Sequence, residues 1–246
     1  MPIAPRTGTV RALARYFPGG SDLARDPVLR EYLADAARPY GVAVREDELA
    51  AEAGHSYGEM GEALLDELLG PDAEVDVLII AHAVPDVRPG RATALYLSNL
   101  CPGRPHAFAV TDQGVTAAYT AIRLAGTFLD SGEARNALIL VLEQAAQFHE
   151  TPEPVSWPKQ HAGVALWLEP GSATVNQHTC VTRDEALRLL PETPLLILGD
   201  GLADVAGQQP MTGAWTTFAE QKSPAVIADY DPDIRTLSMC ALGPLA

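Results

Sequence analysis

One junction constrains this chain more than any other. An apolar strand, His106–Val110, runs through Thr111-Asp112-Gln113-Gly114 straight into a long apolar helix over 115–129. In an α/β protein such a turn is a natural seat for a reacting group. The helix N-terminus presents unpaired N–H groups and the positive end of a dipole, which stabilise an anion or a thiol of lowered pKa. The residue standing there is a carboxylate, Asp112.

Strands and helices alternate on both sides of this junction. A strand is expected over 9–14, ending at Phe17-Pro18-Gly19-Gly20. Asp26 caps a helix with Pro27 in its first turn and Leu29, Tyr32, Leu33 and Ala36 on one face. Ser56 starts a second helix through Met60, Ala63, Leu64 and Leu68, stopped by Gly70-Pro71. The runs 75–81 and 136–142 are apolar almost throughout, which suits buried parallel strands. A short helix over 92–100 and a turn over 101–105 precede the junction, and Asp130-Ser131-Gly132 stops the long helix. The segment 149–160 holds Pro152, Pro154 and Pro158 and reads as a loop, because proline lacks the donor a ladder needs. Further strands are expected over 163–168, 174–181, 195–198, 226–228 and 235–241, with helices over 184–190 and 214–221. The alternation implies an α/β fold around a largely parallel sheet. No internal sequence repeat and no low-complexity tract interrupts it.

Composition sets outer bounds. With 246 residues, 47% hydrophobic and 20% charged, the chain can bury a sizeable core in one large domain or two small ones. No run approaches the roughly 20 apolar residues that span a bilayer, and Met-Pro-Ile-Ala-Pro-Arg lacks a signal-peptide pattern. Cys101, Cys180 and Cys240 are odd in number and form no CxxC, which points to a reducing cytoplasm. A net charge of −15, with Lys159 and Lys222 the sole lysines, argues against nucleic acid or anionic membrane as a partner.

The order of these landmarks resembles the thiolase superfamily, in particular β-ketoacyl-ACP synthase III. The run 75–81 followed by Val84-Pro85-Asp86 is similar to the strand and loop that open the family's dimer region. The stretch 106–125 resembles the nucleophile strand, turn and helix, with Gly114 two residues after the catalytic cysteine position. Ser131-Gly132 and then Ala137–Glu143 resemble the next strand. Gln160-His161-Ala162-Gly163-Val164 resembles the family's Asp-Gly-Ala-Gly-Ala strand start, altered at three of five positions. Ala241-Leu242-Gly243 resembles the glycine loop that donates to the oxyanion hole, which makes Gly243, with Asp112, an expected oxyanion-type donor.

The resemblance implies a layered αβαβα thiolase-like fold, a single domain over 1–246. It would be built of two βαβαβ-type halves, about 1–170 and 171–246, the second abridged because family members are longer. It implies a homodimer, or a heterodimer with a full-length ketosynthase, pairing through the strand before the nucleophile. An acyl carrier protein would be reached through the partner. Carrier proteins are usually acidic and dock on basic patches, for which Arg88, Arg91 and Arg104 are the local candidates. No resident cofactor is expected, and a CoA or phosphopantetheine thioester is the ligand class that the family suggests.

A Claisen condensing enzyme needs a thiolate to hold the acyl group, and donors, usually His and Asn, for the enolate formed on decarboxylation. By the resemblance Asp112 takes the cysteine position, Gly199 or Asp200 the histidine position and Ala214 the asparagine position. None of the three family residues is present, and no histidine follows His178. Asp112 then has two readings: a helix N-cap, or a buried carboxylate acting as general base with His106 or Asp200. It is a poor acyl carrier, because an acyl-aspartate is a reactive anhydride. His106 and His82 read as core or interface histidines unless they face a cavity, and His161 as a strand-edge residue. Cys101 is a buried small hydrophobe, or reactive if exposed. His149/Glu150 and His178/Cys180 lack the spacing of metal ligands. Gly199-Asp200-Gly201 is either a strand-to-helix turn or a backbone cradle for a phosphate such as that of pantetheine.

Three functions follow as expectations. The first is a degenerate, non-condensing subunit that pairs with an active ketosynthase in polyketide, fatty-acid-like or other specialised biosynthesis. The second is an enzyme with a repurposed pocket, using Asp112 for acid–base or acyl-transfer chemistry on a thioester or small intermediate. The third is a small-molecule binding protein using the same cavity without turnover.

Overall fold

A computed structural model of the chain describes residues 8–20, 26–50, 55–88, 90, 92–146, 148–150, 157–203, 209–221 and 223–245. Two mixed sheets carry the fold. The first contains β1 (Val10–Phe17), β2 (Val77–Ala81), β3 (His106–Val110), β4 (Ala137–Glu143) and β5 (His161–Leu168), in the order β1-β5-β4-β2-β3. The second contains β6 (Ala173–His178), β7 (Leu196–Leu198), β8 (Ala225–Asp231) and β9 (Thr236–Leu242), in the order β6-β9-β8-β7. In the first, β3, β2 and β4 are parallel while β5 is antiparallel to both its neighbours. In the second, β7 and β8 are parallel and β9 is antiparallel to both its neighbours. The arrangement β1-β5-β4-β2 therefore recurs as β6-β9-β8-β7, with the same directions. Among the described residues the second sheet stops where the first adds β3.

The expectation of a largely parallel sheet is thus corrected. A parallel neighbour needs a crossover of about a dozen residues or more, and only 232–235 separate β8 from β9, which turns β9 back antiparallel.

Seven helices fill the layers: α1 (Pro27–Ala37), α2 (Glu46–Ala50), α3 (Tyr57–Leu68), α4 (Thr93–Leu100), α5 (Ala117–Ser131), α6 (Arg183–Leu189) and α7 (Gly213–Gln221) among the described residues. Helix α5 packs on β2 and β4 of one sheet and on β6 and β9 of the other, and α7 packs on β1 and β5 and on β7 and β8. Helices α3 and α4 cover the outer face of the first sheet, and Ala186 of α6 covers that of the second. The result is the αβαβα layering.

This explains the apolar runs. In β2, Val77, Ile79 and Ala81 face the central helices while Leu78 and Ile80 face the outer ones; in β4, Ala137, Ile139 and Val141 face in and Leu138, Leu140 and Leu142 face out. A strand buried on both faces shows no alternation in sequence.

Local signals act where the sequence placed them. Asp26 accepts from the N–H of Val28 at 2.9 Å with Pro27 at the first helical position, and Ser56 and Glu59 form a reciprocal capping box on α3. Three expectations shift. Strand β1 continues to Phe17 because its full length pairs with β5. Helix α2 was not foreseen; its Glu46, Asp47 and Glu48 suit a helix N-terminus. His161 is buried on an interior strand rather than at an edge. Of the proline-rich loop, Pro152 and Pro154 lie outside the described residues.

Asn136 joins the start of β4 to the entry of β2. Its Oδ1 accepts from Asp76 N at 3.0 Å and its Nδ2 donates to the carbonyl of Glu74 at 2.9 Å. Asn136→Ala leaves both backbone groups without that partner, and a loss of about 1–3 kcal/mol is expected. Thermal unfolding checks it, at roughly 2–4 °C per kcal/mol for a chain of this size; an unchanged melting temperature contradicts this account of Asn136.

Candidate functional site

The strands β4 and β8 have matching places in the two sheets, and each ends in a carboxylate on the side that faces the central helices. Glu143 ends β4. Its Oε1 accepts from Met211 N at 2.8 Å, and its Oε2 from Thr212 N at 3.1 Å, Thr212 Oγ1 at 2.7 Å and Gln209 Nε2 at 3.3 Å. These donors form the N-terminus of α7. Asp231 ends β8. Its Oδ2 accepts from Val115 N at 3.2 Å, in the 3-10 turn Gly114–Thr116 that leads into α5. Its Oδ1 accepts from Asp233 N at 3.0 Å and Ile234 N at 3.2 Å. Each sheet thus sends a carboxylate to the start of a central helix of the other half.

Gly114 makes room for this exchange. It sits at φ 49°, and a Cβ there would collide with the carboxylate of Asp231. Between the two capped helix ends lies a cavity of about 510 Å³, lined by Tyr57, Val84, Val115, Trp157, Met211 and Pro232 beside the two carboxylates. Asp86 braces its wall, accepting from Tyr57 N at 3.2 Å and Gln144 Nε2 at 3.1 Å with Oδ1, and from Thr93 Oγ1 at 3.0 Å with Oδ2.

The residues expected from sequence are not brought together. Asp112 is exposed, at φ 61°, and makes no side-chain hydrogen bond among the described residues. The N-cap reading is corrected: the helical turn opens at Gly114, Asp231 takes the N–H of Val115, and the side chain of Gln113, not Asp112, holds the first turn by accepting from Thr120 Oγ1 at 2.6 Å. What suits Asp112 to its place is the left-handed backbone, which aspartate tolerates better than most residues. Its charge acts on the half-buried His82, whose Nδ1 lies 2.8 Å from the carbonyl of Val84. Burial holds His82 below the usual imidazole range, opposed by that carbonyl, by Asp86 and by Asp112.

His106 opens β3 while Asp112 follows its end, so about 15–20 Å of strand separates them. Its ring belongs to an aromatic group with Phe108 and Phe128, at 5.5 and 5.7 Å between centroids. Asp200 follows β7 in the second half, where its charge pushes up the carboxyls of both Glu143 and Asp229. Gly243 follows the far end of β9, and its N–H donates to Ser172 O at 2.9 Å, so it offers no oxyanion donor to the cavity. The Gly199-Asp200-Gly201 cradle already holds an internal carboxyl group: Asp229 Oδ1 accepts from Gly201 N at 3.0 Å and Tyr230 N at 2.8 Å. The basic patch does not assemble either, because Arg104 precedes β3 and Arg88 follows β2 at the opposite end of two parallel strands, and Arg91 lies outside the described residues.

The thiols are no closer to the chemistry. Cys101 and Cys240 are buried, and burial pushes the Cys101 thiol up to about 12. The residues that sequence reasoning missed are Glu143 and Asp231. Their signal was present: strands of equal length, Ala-Leu-Ile-Leu-Val-Leu-Glu and Ala-Val-Ile-Ala-Asp-Tyr-Asp, each opening on an apolar run and closed by an acid.

No protein-family model matches the sequence, and no curated protein matches it. Among solved structures the chain is similar to ChlB3, described as an acyltransferase (14% identity, TM-score 0.61, 98% of each chain covered). It is similar to AbyA1, a tetronic acid condensing enzyme (16% identity, TM-score 0.61, 96% of this chain and 100% of that one). It is similar too to 3-oxoacyl-(acyl carrier protein) synthase III of Pseudomonas aeruginosa PAO1 (13% identity, TM-score 0.61, 97% and 99% covered). The chain has the thiolase-like α/β fold of these β-ketoacyl-ACP synthase III-like structures.

Two predictions follow. Gly114→Ala forces a Cβ into the Asp231 carboxylate at positive φ, and a loss of about 2–4 kcal/mol is expected. Chemical denaturation measures it; a wild-type midpoint removes the claim that this contact is tight. The second concerns pH. Burial, with Asp200 and Asp231 nearby, pushes Asp229 up to about 7, against the opposing N–H groups of Tyr230 and Gly201. The folded chain therefore keeps a proton that the unfolded chain releases near pH 4. That stabilisation is full below about pH 4 and is lost as pH climbs to about 7; the buried Glu143, also raised, acts in the same direction. The melting temperature should fall between about pH 5 and pH 7.5, and fall less steeply in Asp229→Asn. Equal slopes would show that Asp229 carries no such proton.

Proposed function

We propose that this chain is a non-condensing, ketosynthase III-like protein of specialised polyketide or fatty-acid-like biosynthesis, acting as partner subunit of an active ketosynthase. One observation carries the reading. The two helix N-termini that flank the cavity, the natural seats for a thiolate and for an enolate, are occupied by the chain's own carboxylates, Asp231 and Glu143. A fixed internal anion outcompetes a transient one for the same N–H groups. With Asp112 exposed at the turn and no Cys, His or Asn among the described residues lining the cavity, nothing there holds an acyl group or steadies an enolate.

The pairing edge is β3. It borders the first sheet on one side only, leaves His106 and Ala109 exposed, and adjoins α4 with its exposed Leu95 and Leu100. Such an edge is a template for another strand. In this reading an acyl carrier protein, and any CoA or phosphopantetheine thioester, engages the partner rather than this chain, and the pair works in the cytoplasm. No helix among the described residues is long and apolar enough to cross a membrane.

A second reading keeps chemistry in this chain. Asp112 and His82 follow neighbouring strands and interact electrostatically, which makes them an acid–base pair better placed than Asp112 and His106. Asp112→Asn with turnover lost at unchanged melting temperature would favour it.

The leading reading is tested by mass. Incubated with malonyl-CoA and acetyl-CoA, the chain is expected to keep its unmodified intact mass, in the wild type and in Cys180→Ser, which removes the exposed thiol. Co-expressed with a full-length ketosynthase III-like enzyme of its own biosynthetic pathway, it is expected to co-purify, and Ala109→Asp on the β3 edge to abolish that pairing. A covalent acyl adduct that persists in Cys180→Ser, or turnover by the isolated chain, overturns the proposal.

A further inference from the structure

The geometry points to a ligand class for the cavity between the capped helix ends: an apolar molecule carrying a protonated amine. This deepens the reading above and rests on it in one respect, that no acyl-enzyme forms there. The sign of charge is the first argument. The lining carries Glu143, Asp231 and Asp233 and, among its described residues, no Lys, Arg or His. The segments 151–156 and 204–208, next in sequence to Trp157 and Gln209, contain none, and Lys159, which follows the lining residue Pro158, is exposed to solvent and is not part of the lining. A phosphopantetheine or CoA headgroup would find no cation here, and both helix ends that would otherwise receive an anion are taken.

Counting lone pairs shows where a cation sits. A carboxylate offers about four acceptor sites. Glu143 receives four hydrogen bonds, three on Oε2 and one on Oε1, so one site of Oε1 remains. Asp231 receives three, so one site remains, on the cavity side of the cap. Asp233 stands exposed at the rim, and its carboxylate makes no hydrogen bond or ion pair among the described residues. Together they match the donors of an ammonium group. The 3-10 turn at the start of α5 adds roughly half a positive charge at most, less than the full negative charge of either aspartate.

The remaining lining suits the body of such a molecule. Tyr57 and Trp157 are anchored by their polar atoms, the hydroxyl donating to Val84 O at 3.1 Å and the indole Nε1 to Ala145 O at 2.8 Å. Aromatic rings attract cations, and Val115, Met211 and Pro232 complete an apolar wall. The volume of about 510 Å³ falls within the roughly 300–1,000 Å³ of small-molecule sites.

The test is titration calorimetry of the full chain, near neutral pH and at low salt, with three probes of one shape: 4-phenylbutylamine, 4-phenylbutanol and 5-phenylpentanoate. The amine is expected to bind about tenfold or more tighter than the acid, with the alcohol between them. Asp233→Asn should weaken the amine several-fold and leave the alcohol unchanged. Trp157→Ala should weaken both. Glu133→Gln, an exposed charge removed at the opposite end of α5, should change neither, which separates the site from general attraction to an acidic protein. The inference is overturned if the acid binds as well as the amine, if Asp233→Asn and Glu133→Gln act alike, or if none of the probes binds. These results are independent of the adduct experiment: an acyl adduct with the amine order intact overturns the functional reading alone, and an acid preference without an adduct overturns the ligand alone.

Discussion

The exchange of carboxylates between the two halves is the contact on which the rest of this structure depends. Helices α5 and α7 form the central layer, and their N-termini would leave N–H groups pointing into a buried seam. Glu143 and Asp231 satisfy them with charge-assisted hydrogen bonds, stronger than neutral ones. Each carboxylate sits at the end of a strand whose apolar residues already pack against the central layer, so capping and core packing fix the same geometry. Because the donors lie across the seam from the acceptors, neither helix can shift without disturbing the opposite sheet.

That arrangement explains why the site is rich in displaced protonation equilibria. Glu143, Asp229, Asp231 and Asp200 crowd the ends of β7, β8 and β4, and burial together with mutual repulsion pushes Glu143 and Asp229 up. The backbone donors oppose the shift, and they recruit the charge in the first place: Asp229 fills the Gly199–Gly201 turn as Asp231 fills the start of α5. In both places a backbone concavity that suits a ligand anion is closed by a side chain of the same sheet. Perturbed carboxyls mark functional sites in many proteins, and here Glu143 and Asp229 are both perturbed and both bonded to backbone N–H groups of the turns they fill.

How much of this was legible before the structure depends on the range of each interaction. Helix starts at Asp26 and Ser56 were readable because a cap and its donors lie within three residues of each other. The strands β2 and β4 were readable because burial on both faces leaves an unbroken apolar run. Strand directions in the second sheet were not, because apolar periodicity is silent about direction. The role of Asp112 was misread for a related reason. An aspartate before a helix suggests a cap, yet whether it caps depends on backbone conformation, and φ 61° turns the side chain outward to solvent. The true cap comes from Asp231, more than a hundred residues away, a distance over which local spacing carries no information.

The same long-range cap bears on what the helix end at this junction can still receive. In an active site of this geometry a helix N-terminus lowers the free energy of a transient anion by being empty until the anion forms. Here the N–H of Val115 at the start of α5 already serves Asp231, so a thiol placed at position 112 would share that helix end with a carboxylate. Gly114 closes the alternative, because any larger residue there collides with that carboxylate. Gly114 and the Asp231 cap are therefore coupled features of one packing solution: without the cap the N–H of Val115 would lose its partner, at about 1–3 kcal/mol.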